Sequence, residues 1–315
     1  MTRTLRTFTA SLIDYAGLFP PTTLDMAPAV ENYARYLRMP EAELLGRFIC
    51  PVSRLEDLSK HGAILMPGTY ATSGYREMAD DVGPWPISAI IDGELNACLD
   101  EIDAFNERHA NEAQGRAVVD AIEMRTDEPS DIDAALDEIP EDIYPSFEVP
   151  QPIVMNGDPR GFVAAMAGNG CSGKIRCGGV KPELIPDSGA IARFIVACAQ
   201  GGVPFKATAG LHHPVRAEQN LTYEDSPPRG VMHGFINVFM AAAMIRANRM
   251  DEANAVEILE DRDPASFTFT DEHASWRDQS VDLIALSRVR EAFALSYGSC
   301  SFEEPVADLK ALNLL

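Results

Sequence analysis

The sequence predicts an α/β fold of the (β/α)8 TIM-barrel class, as a single domain over residues 1–315. Three observations predict it. Short runs rich in branched and aromatic residues alternate with helix-like runs, unit after unit, along the whole chain. No Gly- or Pro-rich linker divides those units, and 315 residues suffice for one large α/β domain. Eight such strand-and-helix units fit this length, the count of a (β/α)8 barrel. A doubly wound sheet is the competing architecture, but no Gly-x-Gly-x-x-Gly follows the first strand.

The first strand is read at Leu12–Phe19, closed by Pro20-Pro21, which cannot continue a ladder. A helix over Ala27–Arg38 follows, with Asp25 as its cap. The second strand, Arg47–Val52, leads to a short helix at Leu55–His61 and an extended piece at Ile64–Met66. The third, Pro86–Ile91, precedes a helix from Glu94 to about Asn111. The fourth, Ala117–Arg125, has the period-2 alternation of a strand and precedes a helix at Ile132–Ile139. The fifth, Tyr144–Val149, is paired with a helix at Pro159–Ala167, where proline suits the first turn. The sixth, Lys174–Cys177, is followed by the apolar helix Gly189–Gln200. The seventh, Pro204–Ala209, opens into a long loop rich in Pro, Arg and Glu, then a helix at His233–Ala247. The eighth is placed at Phe267–Thr270 on its aromatic alternation, with a helix over Val281–Tyr297 and a short tail.

A formal charge of −22 removes the basic face that nucleic acids require, and the same charge repels anionic membranes. The longest apolar helix, Phe235–Ile245, is too short to span a bilayer, and Asp14 interrupts the apolar start of the chain, so no signal peptide is read. Six cysteines without Cys-x-x-Cys spacing read as reduced core thiols, which fits a cytoplasmic protein. A homo-oligomer stays open.

Chemistry is expected where charge enters the strands. The chain has only five lysines, and two of them lie in core strands, where burying an ammonium is costly. In a barrel the site lies at the C-terminal strand ends. Residues two apart share a face, so Lys174 pairs with Arg176 and Lys206 with Thr208, pointing inward, while Phe205 and Ala207 face the helices. Two adjacent ammonium groups repel, so one amine is expected to titrate below its ordinary range and to act as a nucleophile toward carbonyls. Glu123 and Glu148 are the candidate proton carriers. Gly178, Gly179 and Gly210 let backbone N–H groups approach a phosphate or carboxylate.

These motifs, GKIRCGGV and VPFKATAGLHHP, resemble the sixth and seventh strands of the deoxyribose-phosphate aldolase group of class I aldolases. The resemblance covers about forty residues. It implies that Lys174 forms the Schiff base and that Lys206 tunes it. Arg176 and the paired histidines depart from that pattern. With IDYAGLFPP and MHGFINVF added, the whole chain also resembles a bacterial family whose activity is uncharacterised; that resemblance implies no chemistry.

Further candidates lie outside the sixth and seventh strands. His212 and His213, after the seventh strand, are substrate-binding candidates; with Glu148 they form an alternative divalent-metal set, although adjacent histidines diverge. His233 opens a helix with Asn237 one turn on, suiting an anion or plain packing. Asp14 in the first strand is a substrate contact or a buried acid bonded to the Pro20-Pro21 turn, and His61 and His109 read as surface residues. Three functions are compatible with these residues: an aldolase-type lyase on a small anionic carbonyl compound without a cofactor, a metal-dependent lyase or isomerase using Glu148, His212 and His213, or a non-enzymatic binder of an anionic metabolite or partner protein.

Overall fold

A computed structural model describes residues 1–68 and 82–315. Seven of its barrel strands follow the expected order: β1 (Ile13–Tyr15), β2 (Leu45–Pro51), β3 (Trp85–Ile90), β4 (Ala117–Arg125), β5 (Tyr144–Glu148), β6 (Ser172–Arg176) and β7 (Phe205–Thr208). The long loop after β7 carries an antiparallel hairpin, β8 (Ala217–Asn220) and β9 (Arg229–Met232). A separate three-stranded antiparallel sheet is built from β10 (Phe267–Phe269), β11 (His273–Trp276) and β12 (Gln279–Asp282). The last barrel strand is β13 (Ala294–Ser299), which pairs in parallel with both β7 and β1 and closes the (β/α)8 barrel.

The eighth strand is therefore not at Phe267–Thr270. An aromatic alternation serves an antiparallel flap as well as a barrel strand, and Phe269 packs on Phe8 of the N-terminal helix Arg3–Thr9. The helix expected over Val281–Tyr297 stops at Ala292 because Phe293 leaves helical geometry at φ −142°, ψ −62°. Beyond Phe293 the side chains alternate: Ser296 turns to the barrel interior, and Tyr297 turns out onto Phe235 and Phe239. The extended piece at Ile64–Met66 is a turn, and the tail is a helix, Glu303–Ala311. The helix Gln151–Asn156 and the helix Glu252–Glu260 add to the expected set.

The strand phasing holds at the lysines. Phe205 lies outside the barrel wall against Phe194, Phe239 and Phe293, and Ala207 is fully buried with it. Lys174 and Lys206 are register partners across β6 and β7, and Glu148 is the partner of Lys174 across β5 and β6. The helix Phe235–Asn248, apolar all round, is buried from Phe235 to Ile245, as a helix covered on every side must be. Among the described residues no helix is long and apolar enough to cross a membrane.

At the C-terminal rim the loops after β6 and β7 touch through glycines. A Cβ on Gly210 would come 2.7 Å from the Gly178 Cα, and Gly210 has φ +72°, the left-handed region. Gly210→Ala should therefore lower the unfolding free energy by about 1–3 kcal/mol through backbone strain alone. Equilibrium urea unfolding measures this, and an unchanged midpoint with an unchanged slope would refute the close packing.

Candidate functional site at the barrel rim

Three acids and three bases from five strands meet inside the barrel. Lys174 Nζ lies 2.7 Å from Glu123 Oε2 and 2.6 Å from Glu148 Oε2. Lys206 Nζ lies 2.6 Å from both Asp14 Oδ2 and Glu123 Oε1. Arg176 donates through Nη2 to Glu148 Oε1 at 3.0 Å. Hydroxyls complete the set: Ser88 donates to Glu123 Oε1 and Ser296 to Asp14 Oδ2, while the Arg47 backbone N–H donates to Asp14 Oδ1. Every charge thus has an opposite neighbour and the acids have hydrogen bonds to spare, which is what a buried ionic layer requires.

The expected repulsion between the lysines is absent. Glu123 stands between the two ammonium groups, so a carboxylate bridges them. Burial pushes Lys206 down, but Asp14 and Glu123 outweigh it and the amine titrates above its ordinary range. Burial likewise pushes Glu123 and Glu148 up, and their cationic partners more than reverse it, holding both carboxyls below the ordinary range.

Above the layer opens a cavity of about 340 Å³, walled by the loops at the strand ends, including Phe19, Pro20 and Pro21 after β1. Lys174, Glu123, Glu148 and Arg176 line it, with Thr208, Gly179, Gly210 and His212. Gly178 backs Gly210. Lys206 and Asp14 do not line the cavity; they sit beneath it, 4 % and 1 % exposed. Asp14 is bonded to Lys206, Ser296 and Arg47, not to the Pro20-Pro21 turn.

Three other candidates are placed elsewhere. His213 turns to Asp308 at 2.6 Å and lines a smaller neighbouring recess. His233 is fully buried: its Nε2–H donates to the Pro186 carbonyl and its Nδ1 accepts from Arg216. Asn237 Nδ2 donates to the Ile258 and Asp261 carbonyls, and its Oδ1 accepts from the Arg216 N–H, so both residues fasten the helix start rather than meet a ligand. The metal set does not assemble. Glu148 is held by Lys174 and Arg176, His212 and His213 face different acids of the C-terminal helix, and among the described residues no three Cys, His, Asp or Glu side chains converge as ligands. His109 is buried too: Ser59 Oγ lies 2.7 Å from Nε2, and Nδ1–H donates to the Gly115 carbonyl.

Two further residues line the cavity: Arg125 is visible in the sequence as a charge at the end of the fourth strand-like run, and Cys300 is not. Arg125, at the end of β4, lines the wall and makes no ion pair among the described residues. Cys300 lines it from the residue after β13, and is hidden because β13 itself reads as helix. The sequence GSC that closes a Tyr-containing alternation is the available signal.

The buried imidazoles set an acid limit. Burial, joined by Arg216, pushes His233 down to about 4, and burial pushes His109 down as well. A depressed folded value means that the unfolded chain binds protons the folded one refuses, so stability is intact above about 6.5 and falls as pH drops toward 4. Urea unfolding at pH 7 and pH 5 should show that loss, and His233→Gln should shrink it. A loss of the same size in His233→Gln would mean that the His233 imidazole is not held neutral in the fold.

Compared with family models and with curated proteins, the chain matches none.

Proposed function

We propose that the chain is a barrel enzyme that makes or breaks a carbon–carbon bond beside the carbonyl of a small anionic compound, with Lys174 as the attacking amine. The observation that carries this reading is the position of Lys174: it is the strand lysine that reaches the cavity, and it does so between two carboxylates. Arg125 and Arg176 on the same wall supply charge for a carboxylate or phosphate.

The resting ion pairs suggest how the amine is freed. Arg176 holds Glu148 by the longest contacts of the layer, 3.0 and 3.3 Å. An anionic ligand competes for that guanidinium. Glu148, relieved of one cation, takes a proton from Lys174, 2.6 Å away. The amine adds to the carbonyl carbon, water leaves, and the protonated imine accepts the electron pair of the breaking bond. Lys206 is then a positioning residue: its ammonium keeps Glu123 ionised beneath Lys174. This assignment agrees with the deoxyribose-phosphate aldolase resemblance, in which the strand-six lysine is the nucleophile.

A second reading, proton transfer by the Lys174–Glu148 pair without a covalent step, is favoured by the two carboxylates that hold the Lys174 amine at 2.7 and 2.6 Å.

Borohydride added with a panel of small oxo-acids and aldehydes separates the two. Reduction should fix an adduct that peptide mass mapping places on Lys174. Turnover of a substrate without any trapped adduct would leave the proton-transfer reading.

A further inference from the structure

The cavity has a second reactive group. Cys300 is 5 % exposed and faces the cavity from the rim of β13. Four elements pack around its sulfur. His212 Nδ1, from the loop after β7, lies 3.9 Å away. The Tyr223 hydroxyl, from the turn between β8 and β9, lies 4.0 Å away and donates to Glu304 Oε2 at 3.1 Å. Thr22, from the loop after β1, is a further hydrogen-bond partner, and Tyr15 on β1 is the remaining titratable neighbour. Glu304, in the first turn of the helix Glu303–Ala311, lies 3.1 Å from the same His212 nitrogen. Of these groups His212 alone can carry positive charge, so a proton on its Nδ1 is shared between a carboxylate and a sulfur.

We propose that Cys300, paired with His212, is a second nucleophile of the cavity and adds reversibly to the carbonyl carbon of an aldehyde. The site would hold the aldehyde partner of the bond that Lys174 makes or breaks. To that extent the inference rests on the proposed function; the addition itself does not need the imine. Sulfur supplies the electron pair of the new S–C bond, the carbonyl π bond opens, and the oxygen takes the His212 proton, leaving a hemithioacetal and a neutral imidazole. The reverse steps release the aldehyde and restore the ion pair, so no oxidant or reductant is consumed.

The electrostatics agree with the geometry. Burial pushes the Cys300 thiol up, but the contacts with His212 first, and with Thr22 and Tyr223, more than reverse it and hold the thiol below its ordinary range. Burial pushes His212 down, and Cys300 with Glu304 lifts it to about 10. The other five cysteines are pushed up by burial, so Cys300 stands apart chemically.

Iodoacetamide labelling followed over pH tests the pair, and 13C-labelled glyoxylate, a small anionic aldehyde, tests the addition. Labelling near neutral pH should map to Cys300, with a rate inflection below the ordinary thiol value of about 8.5. His212→Asn should raise that inflection and slow labelling at pH 6.5 by about tenfold or more, since a thiol pKa higher by about one leaves roughly a tenth of the thiolate. Glyoxylate should show a hemithioacetal carbon resonance with the wild-type protein and with Lys174→Arg, and none with Cys300→Ser. The Lys174→Arg arm separates this site from the imine: the resonance persists there even if no imine ever forms. Labelling that bypasses Cys300, an inflection that stays put in His212→Asn, or a resonance unchanged by Cys300→Ser would each overturn the proposal.

Discussion

Glu123→Ala should cost the fold about 3–5 kcal/mol, the range for removing one partner from a buried ionic cluster. Glu123 is 2 % exposed and is the anion between two ammonium groups that are direct partners across β6 and β7. Without it Lys206 keeps Asp14 and Lys174 keeps Glu148, but nothing screens the lysines from each other. Glu123→Gln is the sharper variant. It preserves shape and can still accept hydrogen bonds, so most of its cost is the missing charge. Removing a cation as well should give back part of the loss: Glu123→Gln with Lys206→Met should be less destabilised than the sum of the two single variants by about 1 kcal/mol or more. Urea unfolding at pH 7 reads the whole set of variants, and additive effects would show that the layer is not coupled. The pH dependence has a definite sign. The carboxyls, held low in the fold, contribute stability above their unfolded value of about 4.3 and lose it as pH falls through the folded one. Lys206, held high, contributes below about 10.4 and loses its share as pH rises through its folded value.

The same layer marks how much of the site is legible in the sequence. Seven barrel strands and the inward phase of Lys174 and Lys206 are legible, because a strand has period 2 and Phe205 and Ala207 cannot share a face with the lysines. Partnership is not. Asp14 and Lys206 are 192 positions apart in the sequence, and they meet because β1 and β7 both flank β13. β13 is hidden in what looks like the continuation of a helix. With the closing strand unplaced, Asp14 has no visible partner, two lysines look like repulsion, and Cys300 looks like core. His233 and Asn237 mislead for a different reason: a polar residue at a helix start has the same signature whether it awaits an anion or binds a carbonyl of the next segment, and here Pro186, Ile258 and Asp261 supply those carbonyls.

Lys174→Arg and Lys206→Met should fail in opposite ways. Arginine keeps the charge at 174, so Glu123 and Glu148 stay neutralised and the fold should survive with a loss of about 1–3 kcal/mol from the larger side chain. It cannot form an imine, so borohydride trapping should vanish and kcat/KM on any substrate found by turnover should drop on the order of 1,000-fold or more, residual rate coming from proton transfer and binding. Methionine at 206 keeps the volume but removes the charge beneath Glu123 and beside Asp14, so the fold should lose about 3–5 kcal/mol. Trapping in that variant should persist, still on Lys174, because Lys206 does not line the cavity. An ionic layer that merely stabilises the barrel would not produce this crossing: both variants would then act through stability alone, and activity would follow the folded fraction. Unfolding curves and trapped mass, measured on the same two proteins, decide between the two. If the adduct moves to Lys206, the roles are reversed. If Lys174→Arg retains full turnover, Lys174 is not the nucleophile.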